Sequence, residues 1–429
     1  MTSAEKHPAL TKVSVIGLGY IGLPTAAVLA AKKTHVMGVD IREETVDTIN
    51  RGAIHFQEPE LDILVHAVVS EGYLRASTCP EPADAFIIAV PTPFQDQHQP
   101  DLSYIKAASQ SIAPVLKKGD LVILESTSPV GTTEQMANWL AIARPDLSFP
   151  QQQDEQSDIR IAYCPERVLP GHVLHELVYN DRIIGGMTPR CSALATHLYQ
   201  IFVEGDCIKT NTRTAEMCKL TENSFRDVNL AFANELSVIC DKQGINVWEL
   251  IRLANHHPRV NILKPGPGVG GHCIAVDPWF IVSQTPEEAR LIRTAREVND
   301  GKPAWVVKKV QTAIARSLEI HPTKTIKDIT IACLGLTFKA DIDDCRESPA
   351  LYITRRIAEM HPGHVIAVDP NLHRLPDDMA NNVELQTLEQ ALEEADIVVK
   401  LVDHKQFVDG VQKSGSNQIV VNVCGDTCS

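Results

Sequence analysis

VSVIGLGYIGLPTAAVLAAK, Val13 to Lys32, is the stretch on which the fold turns. Val13–Ile16 is an apolar run of strand length. Gly17, Gly19 and Gly22 follow at once in a G-x-G-x-x-G pattern, and LPTAAVLAAK then reads as a helix. Strand, glycines and helix in that order place a pyrophosphate on a helix N-terminus, where the backbone N–H groups and the helix dipole favour negative charge. The next apolar run, HVMGVD, ends in Asp40, eighteen residues after Gly22. A carboxylate at that place accepts the adenine ribose hydroxyls and repels a 2'-phosphate, so the expected cofactor is NAD rather than NADP. Arg42, two residues on, is a nearby cation that works against this preference.

Working outward, the alternation of strand and helix continues. AFIIAVPTP (Ala85–Pro93) carries Thr92 in its turn, and LVILESTSPVG (Leu121–Gly131) carries Ser126 and Thr127. IRIAYCPERVLPG (Ile159–Gly171) puts Glu166, Arg167 and Val168 at the end of a third strand. In a doubly wound sheet, ligands lie at the carboxyl ends of the strands, where all of these would sit. Thr92 and Thr127 read equally well as turn and cap hydroxyls. The last third repeats the order in ITIACLGL, HVIAVDP and ADIVVKLVDH, a second Rossmann-like unit without the full glycine fingerprint.

Between the two lies a long helix, Thr214 to Asp241, stopped by Gly244. Lys219, Asn223 and Arg226 stand at i, i+4 and i+7 on one face. Such a face is ordinarily solvated. Met217, Leu220 and Phe225 instead suggest burial, and a buried Lys and Asn need a partner or a ligand. Helical segments over PEEARLIRTAREVND and KPAWVVKKVQTAIARSL precede a polar connector, EIHPTKTIKD. The expected fold is α/β: two Rossmann-like doubly wound domains, residues 1–212 and 323–429, joined by a central helical domain, residues 213–322, with one long helix.

The loop PGPGVGGHCIAVDP, Pro265 to Pro278, displays Cys273 among four glycines and three prolines, with Asp277 four positions later. Regular structure is excluded there, and a cysteine on such a loop is a candidate nucleophile, although a lone cysteine is more often a small hydrophobe. The eleven cysteines include no CxxC pair, which fits a reducing compartment and gives no zinc site. A net charge of -14 argues against nucleic acid or an anionic membrane as partner. No apolar run reaches the ~18 residues of a membrane span, and the first residues lack the apolar core of a signal peptide, so a cytoplasmic protein is expected.

Together, GLGYIG with Asp40, PTP, STSPVG, PERVLPG, KLTENSFRDVNLAFANE, GPGVGGHCIAVDP and FKADIDDCRESP resemble the motifs of the nucleotide-sugar 6-dehydrogenase family. Its members oxidise UDP-glucose, GDP-mannose or UDP-amino sugars to uronic acids in a four-electron reaction with NAD. The loop reads GGHC before IAVDP, whereas the UDP-glucose branch has Ser before the cysteine and Lys before the aspartate. It is thus similar to the acetamido-sugar branch, and within it to the members that serve enterobacterial common antigen synthesis. The resemblance implies that Cys273 is the thiol nucleophile, Lys219 and Asn223 the catalytic helix pair, and Asp277 and Glu166 the carboxylates near the reacting carbon. It implies NAD contacts at Tyr20, Ile21, Thr92, Thr127 and Arg346, beside Gly17, Gly19, Gly22, Asp40 and Arg42. Substrate contacts follow at Arg167, Val168, Lys219, Asn223, Arg226, His257, Arg259, Lys264, Gly270 and Lys339, with His257 and Arg259 reaching a neighbouring subunit. A UDP-amino sugar substrate is implied, UDP-N-acetylmannosamine ahead of its C2 epimer UDP-N-acetylglucosamine, and a homodimer through the central helices. The ending VVNVCGDTCS departs from the family pattern and leaves the packing of the last strand open.

Two rival readings remain. A two-electron hydroxyacid dehydrogenase also pairs a Rossmann domain with a helix bearing Lys and Asn, but needs neither Cys273 nor a third domain. A non-catalytic NAD-binding scaffold would be expected to have lost some of Lys219, Asn223, Cys273 and Asp277.

Overall fold

The apolar runs fold as strands covered on both faces, the pattern of a parallel sheet between two helix layers. The computed structural model describes residues 10–95, 98–169, 171–271, 273–379, 382–407 and 418–425. By packing the chain forms two compact units, Met1–Glu222 and Asn223–Ser429.

In the first unit the strands are β1 (Lys12–Ile16), β2 (His35–Val39), β3 (Leu74–Ser77), β4 (Ala85–Ile88), β5 (Leu121–Leu124), β6 (Arg160–Tyr163), β7 (Arg182–Gly186) and β8 (Cys207–Asn211). Their order among the described residues is β3-β2-β1-β4-β5-β6-β7-β8. The first six run parallel, β7 is antiparallel to β6, and β8 is parallel to β7. Chain order reverses between β1 and β4, registered Val13 to Ala85, and that switch point is where a doubly wound sheet opens a crevice. Alternate residues feed two cores: Ile87 and Ile123 one, Ile88 and Leu124 the other.

The second unit holds β9 (Ile331–Leu334), β10 (Val365–Val368), β11 (Glu384–Leu385), β12 (Ile397–Lys400) and β13 (Ile419–Asn422) in the order β11-β10-β9-β12-β13, all parallel. The atypical ending therefore packs regularly as far as Asn422, in register with Lys400. Cys428 and His272 of the loop signature lie outside the described residues.

Two helices are long. One spans Thr212–Gln243 and crosses the boundary between the units. The other, Arg290–Ile320, is continuous where the sequence reads as separate helical segments, because it runs through Gly301 and Pro303. An interior proline costs about 3 kcal/mol. The helix holds because Val306, Val310, Ala313 and Ile314 are buried against Ile331, Val365 and Ile397 of the second sheet, and tertiary packing outweighs local propensity. Its later half thus shares a core with that sheet. On the first long helix Leu220 is buried, but Met217 and Phe225 are exposed, so the burial expected of all three holds for one. Among the described residues no helix is long and apolar enough to cross a membrane.

Candidate active site

At the end of β1 the three glycines have different neighbours. A Cβ on Gly22 would stand 1.8 Å from the Gly17 carbonyl oxygen, so the helix Gly22–Ala31 can pack on the strand only through glycine. A Cβ on Gly19 would meet nothing within 4 Å. That space lies where a pyrophosphate approaches the backbone, and the donor set fits NAD. Asp40 follows β2, with Oδ2 accepting the Leu18 N–H at 3.1 Å and Oδ1 accepting the Arg42 N–H at 3.0 Å, so its carboxylate is oriented by the glycine turn itself. Tyr20 stacks on Phe56 with ring centroids 4.3 Å apart. The turns after β4 and β5 meet, Thr92 Oγ1 donating to the Thr127 carbonyl at 2.6 Å.

Glu166 is buried at the end of β6. Its Oε2 accepts from Arg182 Nη1 at 2.7 Å and its Oε1 from the Arg167 N–H at 2.6 Å. Each oxygen keeps a second lone pair for a further donor. Arg182 also lies 3.9 Å from Glu125, whose Oε1 accepts the Tyr199 hydroxyl at 3.2 Å. Complete burial, reinforced by the Glu166 charge and opposed by Arg182, pushes the Glu125 carboxyl up to about 8. Two buried carboxylates share one guanidinium, so holding one of them neutral lowers the cost of the cluster. Sequence reading missed Glu125, Arg182 and Tyr199. The available signal was a charge at the edge of each apolar run, LVILE and RIIGG, since buried charges require partners.

Arg167 is strapped to Glu222 through Nε and Nη2, at 3.1 and 2.8 Å, one turn beyond Lys219 on the long helix. Val168 packs against the first core. Glu216 docks that helix on the turn after β5, accepting the N–H groups of Gly131 and Thr133 and the Thr133 hydroxyl. Lys219 is half-buried on the same helix.

In the second unit, Asn223 Nδ2 donates to the buried carboxylate of Asp277. Cys273 is exposed, and its carbonyl accepts the N–H groups of Val276 and Asp277 at 3.1 and 2.9 Å, closing the turn that leads into the helix Asp277–Gln284. A Cβ on Gly270 would fall 2.4 Å from the Glu347 carbonyl and 2.6 Å from Pro349, so the cysteine loop lies directly on the segment 338–349. Gly270 is thus required by packing, whatever it touches in a complex. That segment carries Lys339, exposed, and Arg346, which is bound bidentately to Asp344 at 3.0 and 2.6 Å. Arg226, His257, Arg259 and Lys264 are exposed; the His257 Nδ1 accepts the Arg259 N–H at 3.3 Å.

Comparison with known proteins agrees along the chain. Three profiles of the UDP-glucose/GDP-mannose dehydrogenase family match: the NAD binding domain at residues 11–203, the central domain at 213–301 and the UDP binding domain at 332–427. A UDP-N-acetyl-D-mannosamine dehydrogenase of Yersinia pestis is 67% identical over 395 residues, 92% of this chain and 94% of the relative. An NDP-N-acetyl-D-galactosaminuronic acid dehydrogenase of Ralstonia nicotianae is 66% identical over 395 residues, 92% and 91%. The solved UDP-D-ManNAc dehydrogenase of Pyrococcus horikoshii superposes with a TM-score of 0.84 at 40% identity, covering 96% of this chain and 95% of that one.

Proposed function

The chain belongs to the UDP-glucose/GDP-mannose dehydrogenase family, and from that premise we propose that it oxidises the C6 alcohol of UDP-N-acetyl-D-mannosamine to the acid in two steps, using two NAD. The observation that carries this reading is Cys273 displayed on the glycine loop ahead of Asp277, itself held by Asn223. NAD, when bound at the first sheet, supplies the hydride acceptor for both steps. The first step leaves an aldehyde. An aldehyde cannot lose a second hydride until a nucleophile has added to its carbonyl, and a thiolate does so near neutral pH. The Cys273 sulfur adds to give a thiohemiacetal, whose oxidation leaves a thioester. Water then hydrolyses the thioester, releasing the acid and returning the thiol. Asn223 and Lys219 stabilise the oxyanions, a contact worth ~3 kcal/mol per donor. Asp277 orients the water, with Glu166 the second carboxylate in that role.

The division of labour follows the three segments: 1–212 for NAD, 213–322 for catalysis and assembly, 323–429 for the UDP sugar. Lys339, Lys264 and Arg226 meet the diphosphate, because on a chain of charge -14 only local cations can. Ten cysteines among the described residues lie outside any disulfide, which supports a cytoplasmic setting. Exposed Phe225, Phe232 and Ile239, seven residues apart on the long helix, support a homodimer with His257 and Arg259 reaching the second copy.

The test is NADH stoichiometry and product mass with a panel of UDP-N-acetyl sugars that includes the manno, gluco and galacto forms. Two NADH per UDP-N-acetylmannosamine and a uronic acid are expected. Cys273→Ala should lose acid formation by several orders of magnitude while still binding NAD. Normal acid production by that variant would overturn the mechanism, and preference for another sugar would overturn the substrate.

A further inference from the structure

On the long helix, Asn223, Asp227 and Asn234 fall on one face, since steps of four and seven residues turn the helix by nearly whole turns. Asn223 holds Asp277 at the far end of the cysteine loop. Asn234 reaches the near end, its Oδ1 accepting the Gly266 N–H at 2.9 Å. Gly266 lies between Pro265 and Pro267, so its N–H is the sole backbone donor of the three. Asn is a poor interior helix residue, and Asn234 is 1% exposed, so helix formation does not account for it.

The orientation of its amide is set from behind. Arg296 Nη1 donates to Asp227 Oδ1 at 2.6 Å, and Asn299 Nδ2 donates to the same oxygen at 2.8 Å. Asn299 must then turn its Oδ1 to Asn234, which answers with Nδ2 at 2.8 Å. Only Oδ1 of Asn234 is left to face the loop. From this relay we infer that Asn234 is a positioning residue for the nucleophile: one helix face clamps the Cys273 loop at both ends, about 16 Å apart. The inference deepens the proposed function and rests on Cys273 being the attacking group.

Asn234→Ala, Asn299→Ala and the double variant in the full chain test it, with Ser237→Ala as control. Ser237 is buried one turn further along and donates to the Asn234 carbonyl rather than to its side-chain amide. The readouts are kcat for acid formation, KM for NAD, Tm, and the rate of Cys273 alkylation by iodoacetamide mapped by peptide mass. A displaced loop should cut kcat by about 100-fold in Asn234→Ala with KM for NAD unchanged. Asn299→Ala should do the same, the double variant should be no worse than either, and Cys273 alkylation should change several-fold. Ser237→Ala should lower Tm alone. If Asn234→Ala does not fold, Asn299→Ala carries the test through the lost amide orientation. Wild-type kcat and alkylation in the Asn variants, or equal losses in Ser237→Ala, would overturn the inference. Absence of acid from the wild type with every sugar would sink the proposed function instead, while alkylation still reads the position of the loop.

Discussion

Lys302 sits in an environment at odds with its charge. It is 3% exposed, donates to the Ser237 hydroxyl and the Asn234 carbonyl, and stands 4.3 Å from the centre of the Trp305 ring. Burial pulls its ammonium down from 10.5 to about 8, the charge of Asp241 opposing. The unfolded chain keeps this proton up to about 10.5, so between those values it binds more protons than the native state, and stability rises with pH. At about 1.4 kcal/mol per pH unit the rise totals on the order of 3 kcal/mol, and below pH 8 the penalty is complete. Urea titrations from pH 7 to pH 10 should show this slope in the wild type and its loss in Lys302→Met; a flat wild-type profile would exclude it. The exposure of Cys273 was legible beforehand because loop composition alone displays it. The burial of Lys302 was not, because KPAWVVKKV gives equal local grounds for a solvated lysine.

Among the elements, the strand–turn–helix at β1 separates a glycine needed by the fold from one that the packing leaves open. Gly22→Ala pushes a methyl into the Gly17 carbonyl and should cost about 1–3 kcal/mol of stability. Gly19→Ala meets nothing in the free protein, so its Tm should match the wild type while KM for NAD rises about tenfold, or 1.4 kcal/mol of lost contact. Thermal melts with and without NAD distinguish the two, and equal melting losses in both variants would remove the ligand reading of Gly19. The motif was readable in the sequence because a tight turn onto a helix restricts residue type locally. The helix Arg290–Ile320 was not, since Gly301 and Pro303 are local stop signals that only the core beneath Val306 and Val310 overrides.

For the molecule as a whole, Phe225 is 71% exposed, Phe232 53% and Ile239 42%, a stripe on the helix side away from Asn223 and Asn234. If the proposed homodimer covers this row of apolar side chains, which runs along 15 residues of helix, Phe232→Asp should convert it to a monomer in sedimentation. A wild-type monomer would refute the assembly. The two Rossmann-like sheets, the cofactor turn with Asp40, and the loop bearing Cys273 were determined by the sequence itself. Each follows from rules acting over a few residues: apolar period, glycine at a tight turn, proline without a donor. The tertiary structure alone decided that Arg182 lies between Glu166 and Glu125, that Asn234 faces Gly266, and that Phe225 stays outside. Those outcomes join residues far apart in the chain, and they depend on which polar groups lose water when the sheets and helices close, a free energy that no local spacing records.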